Sequence, residues 1–254
     1  MIRILAAGVL ALAVPLSAFA TAVVQSVQGD VQAAGAPVFA GQKVLAPSTF
    51  TTGAGAQAVL KFEDGMQIVL NENSLLRMVD YRYSNSGATD RAVFELLRGA
   101  ARVATGAIAE TNPKQFAFRT PQTELRVEKG ADFSVVLVNP AYLTVHSGSV
   151  ISANGWGVTT LNPGSISVVA NSAAAPAAVS AAQLPPAASA AMGNLSTVAS
   201  ATPGGVAVGA GGAAATGGAG FFLPAVIFAG AVAGVAAAVA NEDANDPQST
   251  ATHH

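Results

Sequence analysis

Apolar and polar positions alternate in short bursts along residues 23–170, and most bursts stop at Gly, Asn or Pro. Val23-Val24-Gln25-Ser26-Val27 runs into Gly29-Asp30, Thr49-Phe50-Thr51-Thr52 into Gly53, and Leu125-Arg126-Val127 into Gly130. Alternation with a period of two puts one face of a strand in a core and the other in solvent. The clearest hairpin signal lies in 61–70, where Asp64-Gly65 separates Ala58-Val59-Leu60-Lys61-Phe62 from Met66-Gln67-Ile68-Val69-Leu70. Asp and Gly both tolerate positive φ, which tight hairpin turns require. Gly65, Gly99, Gly130, Gly148 and Gly164 read as structural turn glycines. The pattern predicts an all-β fold: a compact domain of many short strands over 21–170, arranged as a β-roll, a β-helix-like coil or a sandwich. A helical period is visible only as a turn near 91–97.

The pattern then changes. Residues 171–220 are Ala, Pro, Ser and Gly with few large apolar side chains, and they predict a flexible linker, with at most a transient Ala-rich helix. Residues 221–240 carry no charge and have the length of a membrane-spanning helix. Gly230 and Gly234 stand in a spacing that lets two helices approach, so a homo-oligomer is compatible with this segment. Much of it is Ala and Gly, and Glu242, Asp243 and Asp246 follow with no Lys or Arg, a poor cytoplasmic stop signal. A span, a helix docked on protein and an apolar tail all stay open. Residues 241–254 form an acidic polar tail, and His253 and His254 receive no role. At the other end, Arg3, the apolar run 4–14 and Ala18-Phe19-Ala20 match a signal peptide over 1–20; an uncleaved anchor is the alternative.

Charge and cysteine content narrow the setting. The chain has 254 residues and no Cys, so an exported form relies on core burial rather than disulfides. Export without disulfides points to the periplasm or envelope of a Gram-negative bacterium, with the C-terminal segment a candidate membrane anchor. All Lys and Arg except Arg3 lie within 43–129, interleaved with acids, and 133–241 has no charged residue. The near-neutral balance gives nucleic-acid binding little support.

Candidate chemistry is sparse. His146 has neither Cys nor a second His nearby, so it reads as a strand histidine rather than a zinc ligand. Glu63-Asp64 and Glu242-Asp243 are adjacent rather than opposed across a cleft, and Ser147-Gly148-Ser149 lacks the frame of a nucleophile elbow. No catalytic, metal or cofactor-binding residue is assigned, and no cofactor is expected. Tyr81, Arg82 and Tyr83 form the candidate binding patch: on a strand the two tyrosines share a face and Arg82 takes the other. A core role for the tyrosines is the rival reading. Arg119, Arg126 and Lys129 are a basic stripe that Glu124 and Glu128 offset.

Several signposts occur together and in order: Phe62-Glu63-Asp64-Gly65-Met66-Gln67-Ile68-Val69-Leu70, Asn73-Ser74-Leu75-Leu76, Phe94-Glu95-Leu96-Leu97-Arg98-Gly99-Ala100, Phe118-Arg119-Thr120-Pro121, Val127-Glu128-Lys129-Gly130-Ala131-Asp132-Phe133-Ser134-Val135, Val145-His146-Ser147-Gly148-Ser149-Val150 and Leu161-Asn162-Pro163-Gly164. In this order they resemble the FecR domain of bacterial envelope proteins, over about 23–170. Met66 and Ala131 depart from the family's usual Ser and Thr. The resemblance implies coiling short strands and a role in envelope signalling. Family members with a cytoplasmic region and a central membrane helix are anti-sigma regulators; this chain resembles a free-standing exported form without that region. The expectation is a non-catalytic interaction or signalling module whose partner is an envelope protein or glycan. A structural or surface-assembly protein using the Gly/Ala-rich tail is the alternative, and an enzyme acting on envelope polysaccharide is a third reading.

Overall fold

The computed structural model describes residues 21–85, 87 and 89–201. The expected signal peptide, apolar helix and acidic tail, and 202–220 of the expected linker, lie outside the described residues. In chain order the strands are β1 (Thr21–Gln28), β2 (Val31–Ala33), β3 (Ala36–Pro37), β4 (Lys43–Leu45), β5 (Ser48–Thr52), β6 (Gln57–Phe62), β7 (Gln67–Leu70), β8 (Leu75–Arg82) and β9 (Arg91–Ala104). After a short helix α1 (Ala107–Thr111) follow β10 (Phe116–Arg119), β11 (Glu124–Val127), β12 (Asp132–Leu137), β13 (Ala141–Ser147), β14 (Val150–Asn154), β15 (Gly157–Leu161), β16 (Ile166–Val169) and β17 (Ala177–Val179). Helix α2 (Pro186–Ala201) comes last.

The all-β expectation holds, and of its three arrangements the sandwich is found. One sheet runs β4-β1-β6-β7-β9-β12-β13-β16-β17. The other runs β3-β2-β5-β8-β9-β10-β11-β14-β15. They share β9. Its first part pairs with β8 and, in parallel, with β10; its last part pairs with β7 and β12. Residues 91–97, where a helical turn was read, therefore belong to this strand. The change of sheet falls at Gly99, whose φ is +84°. A Cβ there would run into Ser74 backbone and side chain, so the bend needs glycine for both conformation and space.

The core lies between the sheets. Val24, Leu60, Phe62, Ile68, Val103, Phe133 and Val145 of the first meet Phe50, Leu76, Met78, Phe94, Phe118 and Leu125 of the second. The first sheet has a second apolar face. Val59, Val69, Ala100, Val136 and Tyr142 point away from the core and are covered by Ala188, Met192, Leu195 and Ala199 of α2. Those four helix residues recur at helical spacing and form one stripe. β7 and most of β12 are consequently buried on both faces and show no polar alternation.

The flexible linker expected over 171–220 is thus corrected over 177–201, which hold β17 and α2. Alanine favours helix intrinsically, and the stripe supplies burial that a count of large side chains overlooks. Pro186 opens the helix, where its missing N–H costs nothing. The 61–70 hairpin also differs in detail. Phe62 N donates to Met66 O and Gly65 N to Phe62 O, leaving a three-residue loop in which Gly65, not Asp64, is left-handed.

Candidate functional site

Tyr81, Arg82 and Tyr83 do not form one surface. Tyr81 is 2% exposed and stacks edge-on against Phe62 at 5.0 Å between centroids, with Phe94 at 6.4 Å. Its Oη donates to Asp64 Oδ1 at 3.0 Å and accepts from Asp64 N at 3.1 Å. Tyr83 is half-buried against the same core, and its Oη donates to Asn85 Oδ1. Arg82 is exposed and clamps Asp80 through two bonds of 3.0 and 2.7 Å. The shared face of the tyrosines is the core face. The aromatic residues at inward positions 62, 81 and 94 are the signal that favoured it. Of the turn glycines, Gly65, Gly99, Gly148 and Gly164 have positive φ. Gly130 does not; the Glu110 side chain occupies the space its Cβ would take.

The buried and half-buried ionisable groups are tied to structural partners. Asp64 carries its carboxylate inside the hairpin, where desolvation pushes its pKa up against bonds from Met66 N, Tyr81 and Ile108 N. Arg102 on β9 and Asp132 on β12 are each 4% exposed and joined by bonds of 2.9 and 2.7 Å. His146, on β13, shares a 2.8 Å hydrogen bond with Ser134 Oγ. Burial and then the Arg102 charge hold its pKa below the ordinary value, and Asp132 opposes them. Among the described residues no group of three or more His, Cys, Asp or Glu converges to hold a metal.

A groove follows one end of the first sheet beneath the flank of α2. Gln28 of β1 stands opposite Gln57 of β6, whose Nε2 donates to Asn71 Oδ1 at 3.1 Å. Asn71 N then donates to Ala100 O, and Gly99 stands opposite Leu137. One lobe, of about 230 Å³, is lined by Gln28, Gly55, Gln57, Asn71, Glu72 and Asn194. A second, of about 300 Å³, shares Asn71 and Glu72 and continues past Asn73, Arg98 and Gly99 to Val136 and Val138. Ala187, Ala191 and Asn194 form its helical wall.

The turn at the centre of this groove is rigidly held. Thr52 Oγ1 donates to Asn71 O at 2.6 Å and accepts from Ser74 N at 2.8 Å. The fully buried Ser74 Oγ accepts from Ala100 N at 3.0 Å. Glu72 is fixed by Gly55 N, which donates to its carboxylate at 2.7 Å. The sequence reading missed this site because its walls come from distant segments. The amides at the ends of β1, β6 and β7 were its one visible trace.

Residues 48–151 match the family described as FecR protein. The chain carries a FecR domain. Two crystal structures of a candidate anti-sigma factor from Parabacteroides distasonis are similar at 21% and 22% identity, each with a TM-score of 0.42. Each similarity covers 52% of this chain and 59% of that one. A comparison with curated proteins finds no match.

The FecR domain runs from the start of β5 into β14. It contains Asn71, Glu72, Asn73, Arg98 and the Val136–Val138 side of the groove. Gln28 and the wall on α2 lie outside the matched segment. No helix among the described residues is long and apolar enough to cross a membrane.

Proposed function

We propose that this chain is a non-catalytic interaction and signalling module of the bacterial cell envelope, built on its FecR domain and exported to the periplasm. The observation that carries the non-catalytic part is how its buried ionisable groups are used. Asp64, Arg102, Asp132 and His146 each satisfy a structural partner; Arg102 and Asp132 border a small pocket, but there they are bonded to each other. Perturbed ionisation at such sites fits fold maintenance as readily as chemistry. The FecR match and the signal-peptide pattern over 1–20 support the envelope setting. Exposed Trp156 and Val158 on the β14–β15 hairpin, with Phe39 and Leu45, offer apolar contact points.

Cell fractionation with protease accessibility tests this. The protein is expected in the envelope or periplasmic fraction, with in-cell crosslinking yielding a discrete adduct that survives purification. Recovery in the cytosol, or turnover of envelope polysaccharide by the purified protein, overturns the reading.

A further inference from the structure

We propose that the groove between α2 and the end of the first sheet binds a short oligosaccharide bearing a carboxylate. The inference deepens the envelope reading and rests on it for the source of such a sugar.

Asn71 is the central observation. It is 5% exposed, it lines both lobes, and its side-chain oxygen is already taken by Gln57. Its side-chain nitrogen has no hydrogen-bond partner among the described residues. That nitrogen opens into the groove, so it can donate to an incoming acceptor without breaking a bond within the protein. Around it stand two further kinds of group. Gln28, Gln57, Asn73 and Asn194 present amides, each both donor and acceptor. Glu72 presents a fixed carboxylate, and Arg98 a guanidinium with no ion-pair partner among the described residues.

Sugar hydroxyls donate and accept at once, so they suit a lining that mixes amides with a carboxylate. The remaining side-chain walls are apolar, small at Ala100, Ala187 and Ala191 and larger at Val136, Leu137 and Val138, and the C–H faces of a sugar ring can lie against them. Arg98 adds the demand for an acid. It stands at the Gly99 bend and is free to grip a carboxylate through two parallel bonds. The second lobe, at about 300 Å³, reaches the lower end of the size of small-ligand sites.

Titration calorimetry on the full chain provides the test, using N-acetylglucosaminyl-N-acetylmuramic acid, an oligogalacturonate trimer and neutral cellobiose. At least one acidic sugar is expected to bind, and the stronger of the two identifies the source as cell-wall glycan or uronic polymer. Cellobiose is expected to bind about tenfold more weakly, as is the acidic sugar to Arg98→Gln. Asn194→Ala is expected to weaken binding several-fold. Both positions are exposed, so the unfolding midpoints of these variants should match the parent. In a ¹⁵N correlation spectrum the Asn71 side-chain amide should shift on binding. Three results overturn the proposal: no binding by either acidic sugar, equal binding of cellobiose, or binding indifferent to both variants. An envelope location without sugar binding would remove this inference and leave the functional reading standing; sugar binding by a cytosolic protein would do the reverse.

Discussion

Asp64 is buried and His146 half-buried, and the desolvation of these two ionisable side chains acts on stability with opposite signs. Burial raises the Asp64 pKa above its ordinary 3.8, so the folded state holds this proton more tightly than the unfolded chain. Its contribution is complete below 3.8 and is lost as pH rises through the folded value. Asp64→Asn removes that loss. In urea titrations the variant should gain on the parent as pH rises from about 4 to about 7. His146 is held below 6.5, so its contribution is complete above 6.5 and is lost as pH falls through its lowered folded value. The parent should lose stability between about pH 7 and pH 5, and His146→Gln should flatten that limb. Ser74 tests the turn beneath the groove. Ser74→Ala strands Ala100 N and should cost about 1–3 kcal/mol, read from the urea midpoint. These side chains were partly legible. His146 read as a strand histidine and occupies a strand, whereas the burial of Asp64 was hidden because its cause, Tyr81, lies on another strand.

At the level of elements, the strands were the legible part and the helix was not. Ala58, Leu60 and Phe62 alternate with exposed Lys61, and that pattern alone places β6. Val59 breaks it by being buried on the outer face, and the reason is α2. Ala188, Met192, Leu195 and Ala199 form a stripe made mostly of small residues, so it resembled linker composition until a sheet face was there to receive it. Leu195 is fully buried, and Leu195→Ala should cost about 2–5 kcal/mol. Hydrogen exchange should show the loss first as faster exchange in α2. The Arg102–Asp132 pair joins β9 to β12 near the end of this helix, where Ala199 lies alongside it. Asp132→Ala leaves a buried guanidinium uncompensated, with an expected cost of about 3–5 kcal/mol by urea unfolding.

On the scale of the molecule, the sandwich extends beyond the segment that carries the FecR match. β6 pairs with β1, β13 with β16 and β14 with β15, and each of those partners lies outside 48–151. A fragment of 48–151 alone should therefore leave strand edges and an uncovered apolar face. It is expected to aggregate or bind hydrophobic dyes, while 21–201 unfolds in one cooperative urea transition monitored by circular dichroism.

Period-two alternation and Gly punctuation are local properties, so the amino acids alone were enough to establish strands, most of the turn glycines and an all-β class. Which strands share a sheet, why Tyr81 faces inward, that 186–201 docks as a helix and that amides from β1, β6 and β7 line up beside it were settled by long-range packing. Burial depends on what covers a face, and the covering segment stands far away along the chain: Leu195 shares one apolar cluster with Val59, and Asn194 lines one lobe of the groove with Gln57.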